Sequence, residues 1–299
     1  MRVCIFPNLY CFPLVISLAA AGPGDLAYRD EIQQWRATYE AKLKQDNGWL
    51  SLAGLFWLKE GENTFGTGSG NRIVLPEGAA PEMAGAFIFH GGQTKLRVDP
   101  GAPALLNGQA VRSETALKPD SSGDPDRITL GRLSMIVIKR GERYAIRLWD
   151  AQNPARLGFH GSRWFPVNES YRVTAQYTSY PQPRMINIAN ILGDTVPTPS
   201  PGFVTFKLNG TPCRLEPVLE GDHLFFILKD ATSGRQTYPA GRFLYTPLPT
   251  GSTLVLDFNK AENPPCAFTP YATCPLPPKQ NHLPVADEAG ELNTNHVKN

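Results

Sequence analysis

The stretch LSMIVIKRGERYAIRLW, residues 133–149, decides the fold class of this chain. Its two halves, residues 133–139 and 144–149, are apolar or alternating, and Arg140, Gly141 and Glu142 separate them. Two such runs around a short turn that contains glycine are typical of a β-hairpin. Similar short runs with Gly, Pro and Asn between them recur through most of the chain. We therefore predict a mainly β protein, either a sandwich or a barrel.

Further runs of the same kind are predicted as strands. They cover residues 72–75, 86–90, 95–98, 104–106, 171–177, 185–189, 203–208, 213–218, 224–229 and 254–258. Asn107-Gly108 and Asn209-Gly210 follow two of these runs, and Asn-Gly is the preferred pair for a tight hairpin turn.

One helix is expected before the strands, over residues 25–44. Ile32, Trp35, Tyr39 and Leu43 recur at steps of three and four residues, which is the helical period. The dense apolar patch at residues 49–58 is expected to pack this helix onto the first sheet.

The predicted organisation has five parts: residues 1–21 as a signal peptide, 22–61 as the N-terminal helix and apolar linker, 62–127 as a β-sandwich subdomain, 128–291 as a second β-rich subdomain with a Pro-rich C-terminal loop, and 292–299 as a tail. The 62–127 part vaguely resembles a forkhead-associated domain at Gly66, at NRIVLP (residues 71–76) and at LNG (residues 106–108). Such domains read phosphothreonine with an Arg after the glycine and with a Ser and a His in the next loop. Here Thr67 and the loop PEMAG (residues 81–85) replace those groups, so the resemblance implies only the sandwich shape.

The N-terminus predicts export to the periplasm or the extracellular space. Arg2 precedes a mostly apolar run at residues 3–18, and three alanines at residues 19–21 fit a cleavage site. No later apolar run is long enough for a transmembrane helix, so none is expected once the leader is removed. The alternative is a cytoplasmic protein whose start has been assigned too early.

Charge and motifs exclude several classes of function. A net charge of +2 without a dense basic cluster argues against a nucleic-acid partner. The chain lacks a Gly-x-Ser-x-Gly elbow, a His-Glu-x-x-His helix, a P-loop and a dinucleotide fingerprint. Its five histidines are scattered singly, and we expect neither a metal nor a cofactor.

The C-terminal block DFNKAENPPCAFTPYATCPLPP (residues 257–278), with Asn281 and AGE at residues 289–291, carries a family resemblance. Together with GWLSLAGLFWLKEGENTFG (48–66), WFPVNESYRV (164–173) and DATSGRQTYPAGRFLY (230–245), it resembles the bacterial and archaeal family called domain of unknown function 1684. The resemblance implies a β-rich fold and no activity.

Cys266 and Cys274 are the most reactive groups in this block, which seven prolines between residues 264 and 284 stiffen. In an exported protein a local disulfide between them is the default prediction. The alternatives are a nucleophilic or redox thiol, inert buried thiols, and metal ligands, although their spacing matches no standard zinc motif. Cys213 is then left as a buried free thiol.

Polar side chains of the block form a second set of candidates. Asp257 and Glu291 are a possible acid–base pair, although their separation in sequence leaves proximity open. Candidate ligand-binding residues are Asn259, Asn263, Tyr271, Asn281 and Arg242. The simpler interpretation is that the Asn side chains bond backbone amides of their own loop.

Arg147 and Trp164 are candidates outside the block. An Arg with aromatic neighbours can bind a carboxylate or stack on a planar ligand. The simpler interpretation is a surface ion pair and a core tryptophan.

The sequence as a whole favours an exported protein that binds a small ligand or has a structural role in the cell envelope. The alternative is a hydrolase or transferase that uses one of the loop cysteines or an Asp/Glu pair.

Overall fold

A computed structural model describes residues 23–293, and it is mainly β with one long helix at the front. The predicted fold class is therefore confirmed, and so is the helix, which spans Pro23–Leu43 (α1). The predicted signal peptide and all but the start of the predicted tail lie outside the described residues.

The strands have the following bounds: β1 Leu52–Trp57, β2 Gly61–Gly66, β3 Ile73–Val74, β4 Gly85–His90, β5 Gln93–Val98, β6 Ala104–Leu106, β7 Gln109–Ala110, β8 Thr115–Leu117, β9 Ile128–Leu130, β10 Leu133–Arg140, β11 Arg143–Asp150, β12 Arg172–Ala189, β13 Thr195–Leu208, β14 Thr211–Leu215, β15 Val218–Glu220, β16 His223–Leu228, β17 Arg242–Pro247 and β18 Thr253–Asp257. A one-turn helix, α2 (Pro154–Leu157), follows β11 and is capped by the side chain of Asn153.

The first half of the chain forms a sandwich of two sheets, with strand orders β1-β11-β10-β9-β6-β7 and β3-β2-β4-β5-β8. Its core lies between the sheets and includes Phe65, Phe87, Met135 and Ile146, each fully buried. Burial of each such side chain contributes about 1.5–3 kcal/mol. Strands β9, β10 and β11 complete the first of these sheets, so strand pairing runs across the predicted boundary at residue 127. Strand pairing joins segments that are distant in sequence, and turn signals along the chain do not reveal it.

The second half pairs a sheet of order β14-β13-β12-β18 with one of order β15-β16-β17. Leu208, Phe226, Leu244 and Phe258 fill the space between them. Residues after β18 contain no strand within the described range and cross the outer face of the β15-β16-β17 sheet as 3-10 turns and extended segments.

The predicted hairpin turns are confirmed. Asn107 and Asn209 have positive φ angles of 49° and 50°, as the first position of this turn requires. β10 and β11 are in register from Leu133 opposite Asp150 to Arg140 opposite Arg143.

Two strands are longer than predicted. The runs at 171–177 and 185–189 are one strand, β12, and β13 begins at Thr195 rather than near residue 203. Five prolines fall in these stretches. Pro181, Pro183 and Pro201 lie at a break in the pairing between Ser179 and Arg184, and Pro197 and Pro199 lie in the ribbon of residues 184–200, which pairs with no third strand of the described range. A missing backbone donor is tolerated at both kinds of position.

Trp49 lies where the two halves and the helix meet. It packs against three clusters of buried residues: one that includes Leu43 and Phe268, one on the outer face of the first sandwich that includes Leu52 and Trp149, and one that includes Phe225 and Ile227 of β16. The apolar patch thus packs α1 against both halves of the chain, whereas the sequence predicted packing against the first sheet only.

Candidate functional site

A cleft of about 1010 Å³ opens at this junction, and we call it the junction cleft. Four parts of the chain line it: the C-terminal half of α1 with the turn that follows, the end of β10 with the middle of β11, the three strands β15–β17, and the Pro-rich C-terminal loop. Clefts of this size between packed layers are the usual location of small-molecule sites.

Arg147 is the most unusual residue of the cleft wall. It lies in the middle of β11, its side chain is only 8% exposed, and its Nε has no hydrogen-bond partner. No carboxylate within residues 23–293 forms an ion pair with it, so the interpretation as a surface ion pair is wrong. The nearby Asp150 bonds Arg132 instead, at 3.0 Å. Burial, and then the positive charge of Arg140, lower the pKa of Arg147 to about 10.

Two neighbours define the surroundings of Arg147. Its guanidinium carbon lies 5.4 Å from the centre of the Trp49 ring, within cation–π distance. Arg140 Nη1 donates to Asp120 Oδ2 at 2.7 Å, and its Nε donates to Thr273 Oγ1 at 3.3 Å. Arg140 is thus neutralised by Asp120, whereas Arg147 keeps an unpaired charge.

Aromatic residues of β16 and β17 form an apolar part of the wall. Phe225 stacks on Tyr245 with centroids 4.6 Å apart, and it meets Phe243 edge-on at 4.8 Å. Such a surface suits the flat or apolar body of a ligand.

Glu262 is a carboxyl on the same wall. Backbone bonds to Phe243 hold its main chain at 2.8 and 2.9 Å, but its side chain accepts no hydrogen bond from the described residues. Burial, and then the negative charge of Glu291, raise the pKa of Glu262 to about 8. The Glu262 side chain is therefore mostly neutral at pH 7.

Cys266 and Cys274 lie next to one another at the edge of the cleft, and the pair comes within 2.7 Å. Both are free cysteines, and the Cys266 backbone N–H donates to Cys274 Sγ at 3.1 Å. The hydrogen bond from Cys274 lowers the pKa of Cys266, and the same contact raises that of Cys274. The predicted disulfide stays a prediction, and this proximity is what it requires. Cys213 is a buried thiol, as expected.

Asn263 and Glu291 meet behind the cleft wall. The Asn263 backbone N–H donates to Glu291 Oε2 at 2.7 Å, and Tyr39 Oη donates to the same oxygen at 3.1 Å. Asn263 lines the cleft, whereas Glu291 is fully buried. Burial raises the pKa of Glu291 to about 7.

Asp257 and Asn259 form a separate buried network with Tyr28 of α1. Tyr28 Oη donates to Asp257 Oδ1 at 2.7 Å, and Asn259 Nδ2 donates to the Asn168 carbonyl at 2.9 Å. Asn259 therefore bonds a distant backbone segment rather than only its own loop. The structure places Asp257 with Tyr28 and Glu291 with Tyr39.

Asn281 and Arg242 join parts of the second half. Asn281 accepts from Glu216 N at 2.7 Å and donates to the carbonyls of Glu216 and Ile227 at 2.9 and 3.0 Å. Arg242 is 1% exposed and lies between Asp230 and Asp287, with Nη2–carboxylate distances of 3.1 and 2.7 Å.

Trp164 and Tyr271 lie outside the cleft wall. Trp164 Nε1 donates to Glu40 Oε1 at 3.0 Å, and its ring stacks edge-on against Trp35 and Tyr39. Tyr271 is 37% exposed.

Of the predicted candidates, the structure thus brings Arg147, Asn263 and Cys274 to one cleft. Phe225 and Tyr245 were not singled out from the sequence. Trp49 lies in the apolar patch that was predicted to pack the helix, and Glu262 is one of the polar side chains of the C-terminal block that the sequence predicts around one pocket. Trp49 and Glu262 lie within the family-like motifs, and folding brings both to the cleft that Arg147 lines.

Within residues 23–293, no three His, Cys, Asp or Glu side chains cluster in a way that could hold a metal ion. In the same range, no helix has the length and apolar character needed to cross a bilayer.

Comparison with known proteins identifies a family whose description gives no activity. Residues 157–292 match the family model described as "Protein of unknown function (DUF1684)". No curated protein matches the chain.

Two solved structures resemble parts of the chain. One is the solution NMR structure of an uncharacterised protein from gene locus rrnAC0354 of Haloarcula marismortui, which is 33% identical. That similarity covers 46% of this chain and 78% of the other, with a TM-score of 0.39. The other comes from a study of phosphothreonine-dependent FHA domain interactions; it is 20% identical and covers 32% of this chain and 92% of the other, with a TM-score of 0.23.

Proposed function

The chain belongs to the DUF1684 family, and the name of that family gives no activity. From the junction cleft we propose that this chain is an exported protein that binds a small organic anion. Arg147 is the anion receptor in this proposal, and Trp49 with the aromatic residues of β16 and β17 holds the body of the ligand.

The unpaired guanidinium of Arg147 carries the proposal. Its lowered pKa corresponds to a cost of about 3 kcal/mol for keeping the buried side chain charged. Buried charges in proteins are ordinarily paired, and a strongly perturbed group in a cleft is a candidate for function. A carboxylate entering the cleft would supply the missing partner and recover this cost.

The neighbours of Arg147 favour a ligand with a flat or apolar body. The Trp49 ring lies under the guanidinium, and the stacked pair Phe225 and Tyr245 continues the apolar wall. A planar guanidinium has several donors and can form two parallel hydrogen bonds to a carboxylate, which the single point charge of an ammonium cannot do.

Binding is favoured over thiol catalysis by the surroundings of the cysteines. The group that acts on the Cys266 thiol is Cys274, and no histidine or carboxylate contacts either sulfur among the described residues. Arg147 is a positive neighbour of Cys274, but the contact with Cys266 and burial outweigh it and raise the pKa of Cys274. A thiol nucleophile needs such a base or a positive neighbour to become a thiolate.

Benzoate is a suitable first probe, with neutral benzamide as its isostere. We expect NMR titration to show benzoate binding clearly tighter than benzamide. Arg147→Met should weaken benzoate binding about ten- to hundredfold, because a hydrogen bond to a charged group is worth about 1.5–3 kcal/mol.

Arg163→Met is the matched control, because Arg163 is exposed and does not line the cleft. It should leave benzoate binding unchanged. Equal binding of benzamide, an unaffected Arg147→Met variant, or no benzoate binding at millimolar concentration would each contradict the proposal.

A further inference from the structure

The junction cleft carries unpaired groups of opposite charge type, Arg147 and Glu262. Both line the cleft, and neither has a side-chain hydrogen bond or ion pair within residues 23–293. Arg147 is more than nine-tenths buried. It therefore gives the cleft a positively charged receptor for an anion, in addition to the carboxyl group of Glu262.

The two groups come from different parts of the cleft lining. Arg147 lies on β11, whereas Glu262 belongs to the C-terminal loop and is bridged to Phe243 of β17. The aromatic residues Phe243, Phe225 and Tyr245 continue from Glu262 along the wall.

We propose that the ligand is bifunctional, with a carboxylate that binds Arg147 and an amine that binds Glu262, joined by an apolar chain or ring. The proposal rests on the anion site at Arg147 and adds the second end of the ligand. Its chemical class is an ω-amino carboxylate, or a peptide-like compound with the same two termini.

The surroundings of Glu262 support a cation as its partner. The titratable and charged groups that face it are Tyr39 and Lys42 from α1, Glu220 from β15, Tyr245 from β17 and Glu291 from the C-terminal loop. The basic side chains near it in the cleft lining are Lys42, His223 and Lys260. Lys260 pairs with Glu31 at 2.6 Å, His223 Nδ1 lies 2.6 Å from Asp222 Oδ1, and Lys42 forms no ion pair with Glu262. Glu262 therefore has no cationic partner of its own among the described residues, and an incoming ammonium would supply one.

Binding of the amine should be linked to a proton. In the protein without ligand, Glu262 holds its proton through neutral pH, because burial raises its pKa to about 8. An ammonium favours the carboxylate form, so complex formation releases a proton below about pH 8. The affinity for the amine therefore rises between pH 6 and pH 8.

The test compares 4-aminobutanoate, 6-aminohexanoate and 8-aminooctanoate with hexanoate and hexylamine by calorimetry in two buffers of different protonation enthalpy. We expect at least one amino acid of the series to bind about ten- to hundredfold tighter than hexanoate, with proton release at pH 7. Glu262→Gln should remove this gain and the proton release, so that the amino acid binds the variant no more tightly than hexanoate does. Glu142→Gln, at an exposed turn, is the matched control.

Two results would overturn the inference. If no amino acid in the series exceeds hexanoate, or if Glu262→Gln leaves the gain intact, Glu262 is not an amine receptor. In either case Arg147-dependent binding of hexanoate would still stand. If hexanoate does not bind the wild-type protein at all, the proposed anion site at Arg147 is wrong, and the inference that rests on it fails with it.

Discussion

Replacing Arg242 with methionine is expected to lower the free energy of unfolding by roughly 3–5 kcal/mol, because it leaves two buried carboxylates without a partner. Arg242 donates to Asp230 and Asp287 and also to the carbonyls of Asp287 and Ala289. Both carboxylates have side chains at most 1% exposed, so water cannot replace the guanidinium. The change also detaches the end of the C-terminal loop from β17.

Urea unfolding followed by circular dichroism measures this loss. Arg235→Met is the matched control, since Arg235 is exposed in the turn before β17 and should change stability by less than about 0.5 kcal/mol. Adding Asp230→Asn and Asp287→Asn to Arg242→Met should recover part of the loss, because the uncompensated charges are then gone. A single variant as stable as the wild type would show that Arg242 is not the link described.

Stability should fall as the pH rises from about 4.5 to about 7, partly through Glu291. Its pKa is raised to about 7 in the folded protein, so in this range the folded state holds a proton that the unfolded state has released. The folded state therefore binds more protons, and the free energy of unfolding decreases with rising pH. The full contribution of this group is at most about 3 kcal/mol.

Glu291→Gln tests this assignment. Urea unfolding at pH 5, 6, 7 and 8 should give a flatter pH profile for the variant than for the wild type. Glu288→Gln changes an exposed carboxyl of the same segment and should leave the slope as it is. A slope unchanged in Glu291→Gln would assign the pH dependence to other groups, such as Asp287.

The regular parts of the fold could be predicted because their signals are local. The Asn-Gly pairs fixed two hairpins, and the alternating runs located most strands to within a few residues. β1, β2, β7, β8, β9 and β17 were not predicted, β12 was predicted as two strands, and the first part of β13 was missed. The prolines of these two strands are tolerated because the ribbon of residues 184–200 pairs with no third strand of the described range and the pairing is interrupted at residues 180–183, which are properties of the sheet and not of the segment.

The candidate site could be predicted only in part, for the same reason. Arg147 was identified by its type and its aromatic neighbours, but its lack of a partner depends on Asp150 bonding Arg132 and on Asp120 bonding Arg140. Asn281 was a candidate for ligand binding, yet its oxygen and nitrogen are bonded to the backbone of Glu216 and Ile227. Which polar groups are left unpaired becomes visible only after all the others have found partners.

The most direct test of the central claim is the thermal unfolding of Arg147→Met with and without benzoate. The account predicts that the variant unfolds a few degrees above the wild type without ligand, since an unpaired buried charge has been removed. It also predicts that benzoate raises the melting temperature of the wild type and not of the variant. A variant that unfolds below the wild type, or that benzoate stabilises equally, would mean that Arg147 is already satisfied within the protein and would contradict the account.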